Sequence, residues 1–110
     1  GGVYHANYLR WFERARTEWL RGRGLGQEVL MQQHGIAFTV AGMEIDWVRP
    51  ARLDDELEVV TVVAEQRRAS INFEQILRRK GGDGSVMCLA RVRVACVDAK
   101  SFRPRAMPPL

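Results

Sequence analysis

From Asn7 to about Arg23 the apolar residues return at helical spacing: Tyr8, Phe12, Ala15, Trp19 and Leu20 form one stripe, with Arg10, Glu13, Arg14, Arg16 and Arg21 largely between them. The pattern predicts an amphipathic helix of about four turns at 3.6 residues each, with Asn7 as N-cap and Gly22 and Gly24 as its stop. A shorter helix is expected from about Gln27 to Gln33, ahead of Gly35. Beyond Gly35 the period falls to 2. Met43, Ile45 and Trp47 alternate with Glu44, Asp46 and Val48 until Arg49-Pro50-Ala51-Arg52-Leu53-Asp54-Asp55 breaks the strand. Three more strands follow: Glu56 to Gln66 with Leu57, Val59, Thr61 and Val63 on one face, Ser70 to Arg79 with Ile71, Phe73, Gln75 and Leu77, and Val86 to Val97. In the last, Cys88, Ala90, Val92, Val94 and Cys96 form the inward face, and Gly81-Gly82-Asp83-Gly84 makes the hairpin turn before it. One long helix followed by at least four long, mostly antiparallel strands is an α+β domain. Its sheet leaves edge strands with unpaired ladder groups, which pairing with a second copy relieves, so a homo-oligomer is expected.

Composition bounds this picture. The 110 residues, 46% of them hydrophobic, make one domain, 1–110, able to bury a core without disulfides or a metal. No apolar run approaches the roughly 20 residues that cross a bilayer, and no signal-peptide pattern is present, so a soluble, cytoplasmic protein is expected and peripheral membrane association is not indicated. The chain opens Gly1-Gly2-Val3 without an initiator Met, so residues ahead of Gly1 are expected and the domain is taken as N-terminally incomplete. Cys88 and Cys96, eight apart on one strand face, lie about 26 Å from each other at ~3.3 Å per residue and cannot bridge. With only His5 and His34 elsewhere there is no metal-ligand spacing, no metal is expected, and both thiols read as core.

Charge divides the chain. The net +4 comprises +3 over residues 1–23, −6 over 24–65 and +7 over 66–110, and 15 of the 17 basic residues are Arg. Arginine's forked donors suit phosphate, so the C-terminal half invites an anionic partner, although solvated strand faces explain the same residues. Nucleic acid is not expected: there is no recognition-helix, zinc-finger or RNP-like pattern, and the acidic middle interrupts a continuous basic face. Arg14 and Arg16 are read as supporting the helix through Glu13, Glu18 and neighbouring chains. The candidate chemistry lies in Val3-Tyr4-His5-Ala6-Asn7-Tyr8, at the start of the long helix. Free backbone N–H groups and the positive dipole end suit an oxyanion there. The Gly pair before it lets a substrate come close to the backbone. His5 serves as acid, base or orienting donor, although on spacing alone a histidine ahead of a helix is more often a cap or a structural residue. Ser70 and Asp98 are further actors by type, without a Ser-His-Asp order to join them.

Taken together, Gly1-Gly2-Val3-Tyr4-His5-Ala6-Asn7-Tyr8-Leu9, Phe12-Glu13-Arg14-Ala15-Arg16-Thr17-Glu18, Arg49-Pro50-Ala51-Arg52-Leu53-Asp54-Asp55, Cys96-Val97-Asp98 and Arg103-Pro104-Arg105-Ala106-Met107-Pro108 resemble, in the same order, the hotdog-fold acyl-CoA thioesterases of the YbgC type. This family is 4-hydroxybenzoyl-CoA thioesterase-like and associated with the Tol-Pal system, and the likeness covers nearly the whole chain. It implies a hotdog fold: an antiparallel sheet wraps the long helix, an N-terminal strand precedes Gly1, and protomers pair their sheets into a homodimer or homotetramer with active sites at the interface. The implied reaction hydrolyses an acyl-CoA to free acid and CoA, with no cofactor because coenzyme A belongs to the substrate. The implied principal catalytic residue is an Asp shortly before the Gly pair, as nucleophile or general base toward the thioester carbonyl, outside this sequence. His5 matches the family's active-site histidine and Tyr4 the aromatic before it, near the helix N-terminus whose backbone N–H is implied to polarise the carbonyl. Gly2 and Val3 then line the substrate's approach, and Arg67, Arg68, Ser70, Lys100, Arg103 and Arg105 are candidates for the CoA end. One departure stands out, since Val3 alone fills a place where the family usually has two apolar residues. The alternative is a non-catalytic acyl-CoA or acyl-carrier-protein binding module that interacts with lipid-synthesis proteins.

Overall fold

The fold comes from a computed structural model, which describes residues 2–52, 54–81 and 83–110, and for residues 2–6 the backbone alone. Helix α1 (Gly2–Arg21) buries the stripe its spacing predicts: Tyr8, Phe12 and Leu20 are in the core, and Trp19 sets its ring edge-on to Phe73 at 5.5 Å between centroids. The helix starts before Asn7. That residue's backbone is helical, whereas a cap needs a non-helical one, so Asn7 is not the N-cap expected. The stop is as read. Gly24 takes φ 75°, its N–H donates to the Arg21 carbonyl and that of Leu25 to the Leu20 carbonyl, both at 3.0 Å, and the two leucines enter the core. This is a Schellman ending, which needs a left-handed residue at the position glycine fills. The second helical segment begins as α2 (Gln27–Val29) and continues as a wider π-type turn, Leu30–His34. Gly35, at φ 63°, turns the chain into the sheet.

Four antiparallel strands follow, β1 (Ile36–Trp47), β2 (Leu57–Arg67), β3 (Ser70–Arg79) and β4 (Val86–Asp98), in the order β1-β4-β3-β2. β1 starts at Ile36, well before Met43, the first residue given a face from the sequence. A bulge between Val40 and Gly42 shifts the phase by one. Ile36, Phe38 and Val40 therefore face the same side as Met43, Ile45 and Trp47, since all six stand opposite β4 positions on one ladder. The inward faces of β3 and β4 are those expected, with Ile71, Phe73, Gln75 and Leu77 meeting Cys88, Ala90, Val92, Val94 and Cys96, all buried. This is the helix-on-antiparallel-sheet arrangement that the resemblance implies. α1 lies over β2 and β3, which leaves the concave side of β1 thinly covered: Val40, Met43 and Trp47 are 48%, 37% and 44% exposed. The C-terminal tail is not loose. Pro104 bridges to Val97, Arg105 N–H donates to the Cys96 carbonyl at 3.0 Å and Met107 N–H to that of Arg68 at 2.8 Å. No described helix is long and apolar enough to cross a membrane.

Candidate active site

Gly2, Val3, Tyr4 and His5 form the first turn of α1, where backbone N–H groups lack intrahelical partners and the dipole end is positive. Their side chains lie outside the described residues, as do Gly1, Leu53 and Gly82 entirely. Tyr8, one turn further on, fixes where this turn sits. Its buried hydroxyl accepts the Ala51 N–H at 3.3 Å, and its ring lies 5.7 Å from that of Trp47 and 5.5 Å from that of Trp11. The start of α1 is thereby held at the Trp47 end of β1. From there Trp47, Met43 and Val40 run down the concave face as an exposed apolar strip.

The six residues expected at the CoA end are brought together, but at the other end of the sheet. Arg67 ends β2, Ser70 starts β3 and Arg68 lies in the turn between them; the Met107–Arg68 bond ties to this hairpin the tail that carries Lys100, Arg103 and Arg105. β1 separates the two ends with 12 residues, roughly 36–40 Å at ~3.3 Å each, in a molecule whose long axis is 43 Å. Within one chain this cluster does not reach the first turn of α1. Arg67 pairs with Glu65 at 2.9 Å, and Arg105 pairs with Asp98 at 2.7 Å while donating to the His34 carbonyl at 3.4 Å. Arg68, Lys100 and Arg103 are exposed and make no ion pair among the described residues.

Asp98 has a structural task. Its carboxylate accepts the N–H groups of Ser101 and Lys100, each at 2.9 Å, as well as Arg105, and those two backbone donors are the main reason it is held down to about 2. A carboxylate bound this way is a weak base near neutral pH. Ser70 pairs with Ala95 in the ladder, and no base bonds its hydroxyl among the described residues. Burial pushes the Cys88 thiol up to about 11 and that of Cys96 upward, so both are inert core groups. No group of three or more His, Cys, Asp or Glu that would suit a metal occurs among the described residues.

Arg16 feels the charge of Glu13, as its reading expects, but it lies deeper than that reading places it: it is 6% exposed, and its Nη1 donates to Gln75 Oε1 at 2.9 Å. Gln75 Nε2 donates in turn to the Phe12 carbonyl at 2.9 Å and to Thr61 Oγ1 at 3.0 Å, so a buried polar bridge joins α1 to β3 and β2. The signal for it was spacing: Arg16 stands four residues after Phe12 and four before Leu20, on the apolar stripe.

A family model described as the thioesterase superfamily matches residues 1–86. The chain is 45% identical over 108 residues to the acyl-CoA thioesterase YbgC of Haemophilus influenzae, an alignment covering 98% of this chain and 77% of the relative. It is 42% identical over 108 residues to the acyl-CoA thioester hydrolase YbgC of Escherichia coli O157:H7, covering 98% and 78%. Among solved structures, a probable thioesterase from Bartonella henselae matches with a TM-score of 0.83 at 33% identity, over 96% of this chain and 84% of that one. A Staphylococcus aureus protein solved in complex with CoA matches with a TM-score of 0.84 at 16% identity, over 94% of this chain and 63% of that one, a likeness of fold alone.

Proposed function

The chain belongs to the thioesterase superfamily, and from that premise we propose that it hydrolyses the thioester of an acyl-CoA to the free acid and CoA. The observation that carries this is identity of 42–45% over 98% of the chain to relatives named for that activity. The thioester carbonyl docks on the first turn of α1, where its oxygen accepts the Tyr4 backbone N–H and the positive helix end steadies the developing oxyanion. The carboxylate that the family resemblance puts ahead of the Gly pair activates a water, whose oxygen adds to the carbonyl carbon. The C–S bond then breaks, and His5 delivers the proton that the leaving thiolate takes up. Gly2 and Val3 flank the carbonyl, and the acyl chain lies along Trp47, Met43 and Val40.

The distance between this turn and the basic cluster supports a homodimer. β1 is a sheet edge whose outer ladder groups pair with no other strand among the described residues and whose concave side shows three large apolar side chains. Antiparallel pairing of β1 with the same strand of a second copy covers both. Under that two-fold the Ile36 end of one β1 lies beside the Trp47 end of the other, so Arg67, Arg68, Ser70, Lys100, Arg103 and Arg105 of one protomer approach the α1 start of its partner. CoA phosphates are then held in trans. Two such dimers make the homotetramer. A cytoplasmic site of action and a link to the Tol-Pal system rest on the sequence reading and the family resemblance alone.

Full-length protein incubated with short-, medium- and long-chain acyl-CoAs and a thiol reagent tests the reaction. CoA release above the uncatalysed rate is expected from at least one of them. No release from any chain length overturns the reading.

A further inference from the structure

Beyond Asp98 the chain makes a tight turn that displays one aromatic ring. The Asp98 carboxylate accepts the Lys100 and Ser101 N–H groups, the Asp98 carbonyl accepts the Phe102 N–H at 2.9 Å, and the Arg103 carbonyl accepts the Asp98 N–H at 2.8 Å. Closed in this way, the turn sets Phe102 at φ 60°, the one positive φ outside glycine among the described residues. The left-handed region crowds Cβ against the backbone, so a bulky residue there is an outlier that glycine would avoid. Phe102 does not serve the core either. Its side chain is 70% exposed, more than any other large apolar side chain among the described residues. A strained backbone that holds a ring out in water points to a task outside the fold.

The surroundings of the ring narrow that task. Lys100 and Arg103 flank it in the turn, both exposed and without an ion pair among the described residues, and the Met107–Arg68 bond brings Arg68 to the same end. The Ala99 N–H donates to the Gly35 carbonyl at 2.9 Å, which fixes the turn at the Ile36 end of β1, the end that edge pairing sets beside the partner's α1 start. A flat apolar face among cations suits a ligand that joins an aromatic base to phosphates. A lipid surface fits less well, because one ring in a tied turn buries little area, whereas interfacial anchors bury a whole apolar helix face or an acyl chain. We propose that Phe102 is the platform on which the adenine of CoA stacks, so that the nucleotide end of the substrate selects the carrier. This rests on the reading of the basic cluster as the CoA site and goes beyond it, because phosphate contacts alone do not separate CoA from a phosphopantetheine thioester that lacks the base.

Calorimetric titration of the full-length protein with adenosine 3′,5′-bisphosphate, which carries the base and ribose of CoA, and with pyrophosphate is the test. Phe102→Ala should weaken the nucleotide at least about fivefold, the low end of base–aromatic stacking, and leave pyrophosphate unchanged. Phe102→Trp should retain the nucleotide. Phe102→Gly relieves the left-handed strain, so it should bind the nucleotide as weakly as Phe102→Ala while its Tm is no lower than that of the unsubstituted protein, a combination that a structural role for the ring excludes. In turnover, Phe102→Ala should raise the KM for an acyl-CoA at least about fivefold at unchanged kcat, and shrink the preference in kcat/KM for acyl-CoA over the matching acyl-phosphopantetheine by the same factor. Absence of nucleotide binding at millimolar concentration overturns the proposal, as does nucleotide binding that Phe102→Ala leaves intact or an equal loss of pyrophosphate. Loss of sedimentation with phosphatidylglycerol vesicles in Phe102→Ala, with nucleotide binding intact, assigns the ring to a lipid surface and also overturns it. The titrations need no turnover, so the two readings fail separately. Nucleotide bound through Phe102 without hydrolysis of any acyl-CoA removes the hydrolase reading alone, and CoA release with normal nucleotide binding in Phe102→Ala removes the stacking platform alone.

Discussion

His5 is one residue from the Tyr4 N–H that is to hold the oxyanion, so its removal should act on the chemical step. General acid–base groups typically contribute about 10²–10⁴ in rate. His5→Ala is expected to lower kcat at least about tenfold with an unchanged circular dichroism spectrum, and unaltered turnover removes His5 from the site. Asp98 makes a contrasting case, in which a strongly perturbed carboxylate serves the fold. The Ser101 and Lys100 N–H groups, and then Arg105, hold it at about 2, below its ordinary 3.8. Its ionised form is thus favoured by folding. The stability it supplies is full above about pH 4, the unfolded value, and is lost as pH falls towards the folded one. Asp98→Asn should therefore lower the Tm at neutral pH, and the gap to the unsubstituted protein should narrow as melts are repeated from about pH 5 down to about pH 3. A gap that stays constant over that range counts against this account.

The bridge from Arg16 through Gln75 to Thr61 and Phe12 joins α1 to the sheet, and breaking it from one side is worse than removing it. Gln75→Leu leaves the buried guanidinium without its partner and should cost about 2–3 kcal/mol in urea unfolding. Adding Arg16→Met should recover part of that loss, because the two positions share one bond. Additive losses sink the idea that they act as a unit. This element also marks where reading the chain succeeds and fails. The inward faces of β3 and β4 were legible because strict alternation survives over their whole length. Arg16 was misassigned despite its place on the stripe four residues from Phe12 and from Leu20, since a charge on a helix is given to solvent until a partner as distant as Gln75 is known to lie beneath it. The period of 2 was legible from Gly35 on, but which residues of the first half of β1 face inward was not, because the bulge at Val40/Gly42 shifts the alternation by one. His5 was singled out from local residues, but Arg68 and Lys100 are far apart in sequence, and only the order β1-β4-β3-β2 and the tail pairing bring them to one end.

The separation of roughly 36–40 Å along β1, at ~3.3 Å per residue, makes it decidable which chain supplies the phosphate contacts. If β1 edges pair, placing Asp at both Val40 and Met43 should convert the assembly to smaller species in light scattering. Complementation separates this from a general loss of fold. His5→Ala removes the chemistry from one protomer, and Arg68→Glu with Lys100→Glu and Arg103→Glu removes the phosphate contacts from another, so each variant alone should be nearly inactive. Half of the dimers formed by equal co-expression are mixed, and each mixed dimer joins one intact α1 start to one intact basic cluster, so activity should return to roughly a quarter of the unsubstituted level. A cluster acting on its own chain predicts no recovery. Mass spectrometry of the intact dimers establishes that mixing has occurred, and mixed dimers without activity then sink the trans arrangement.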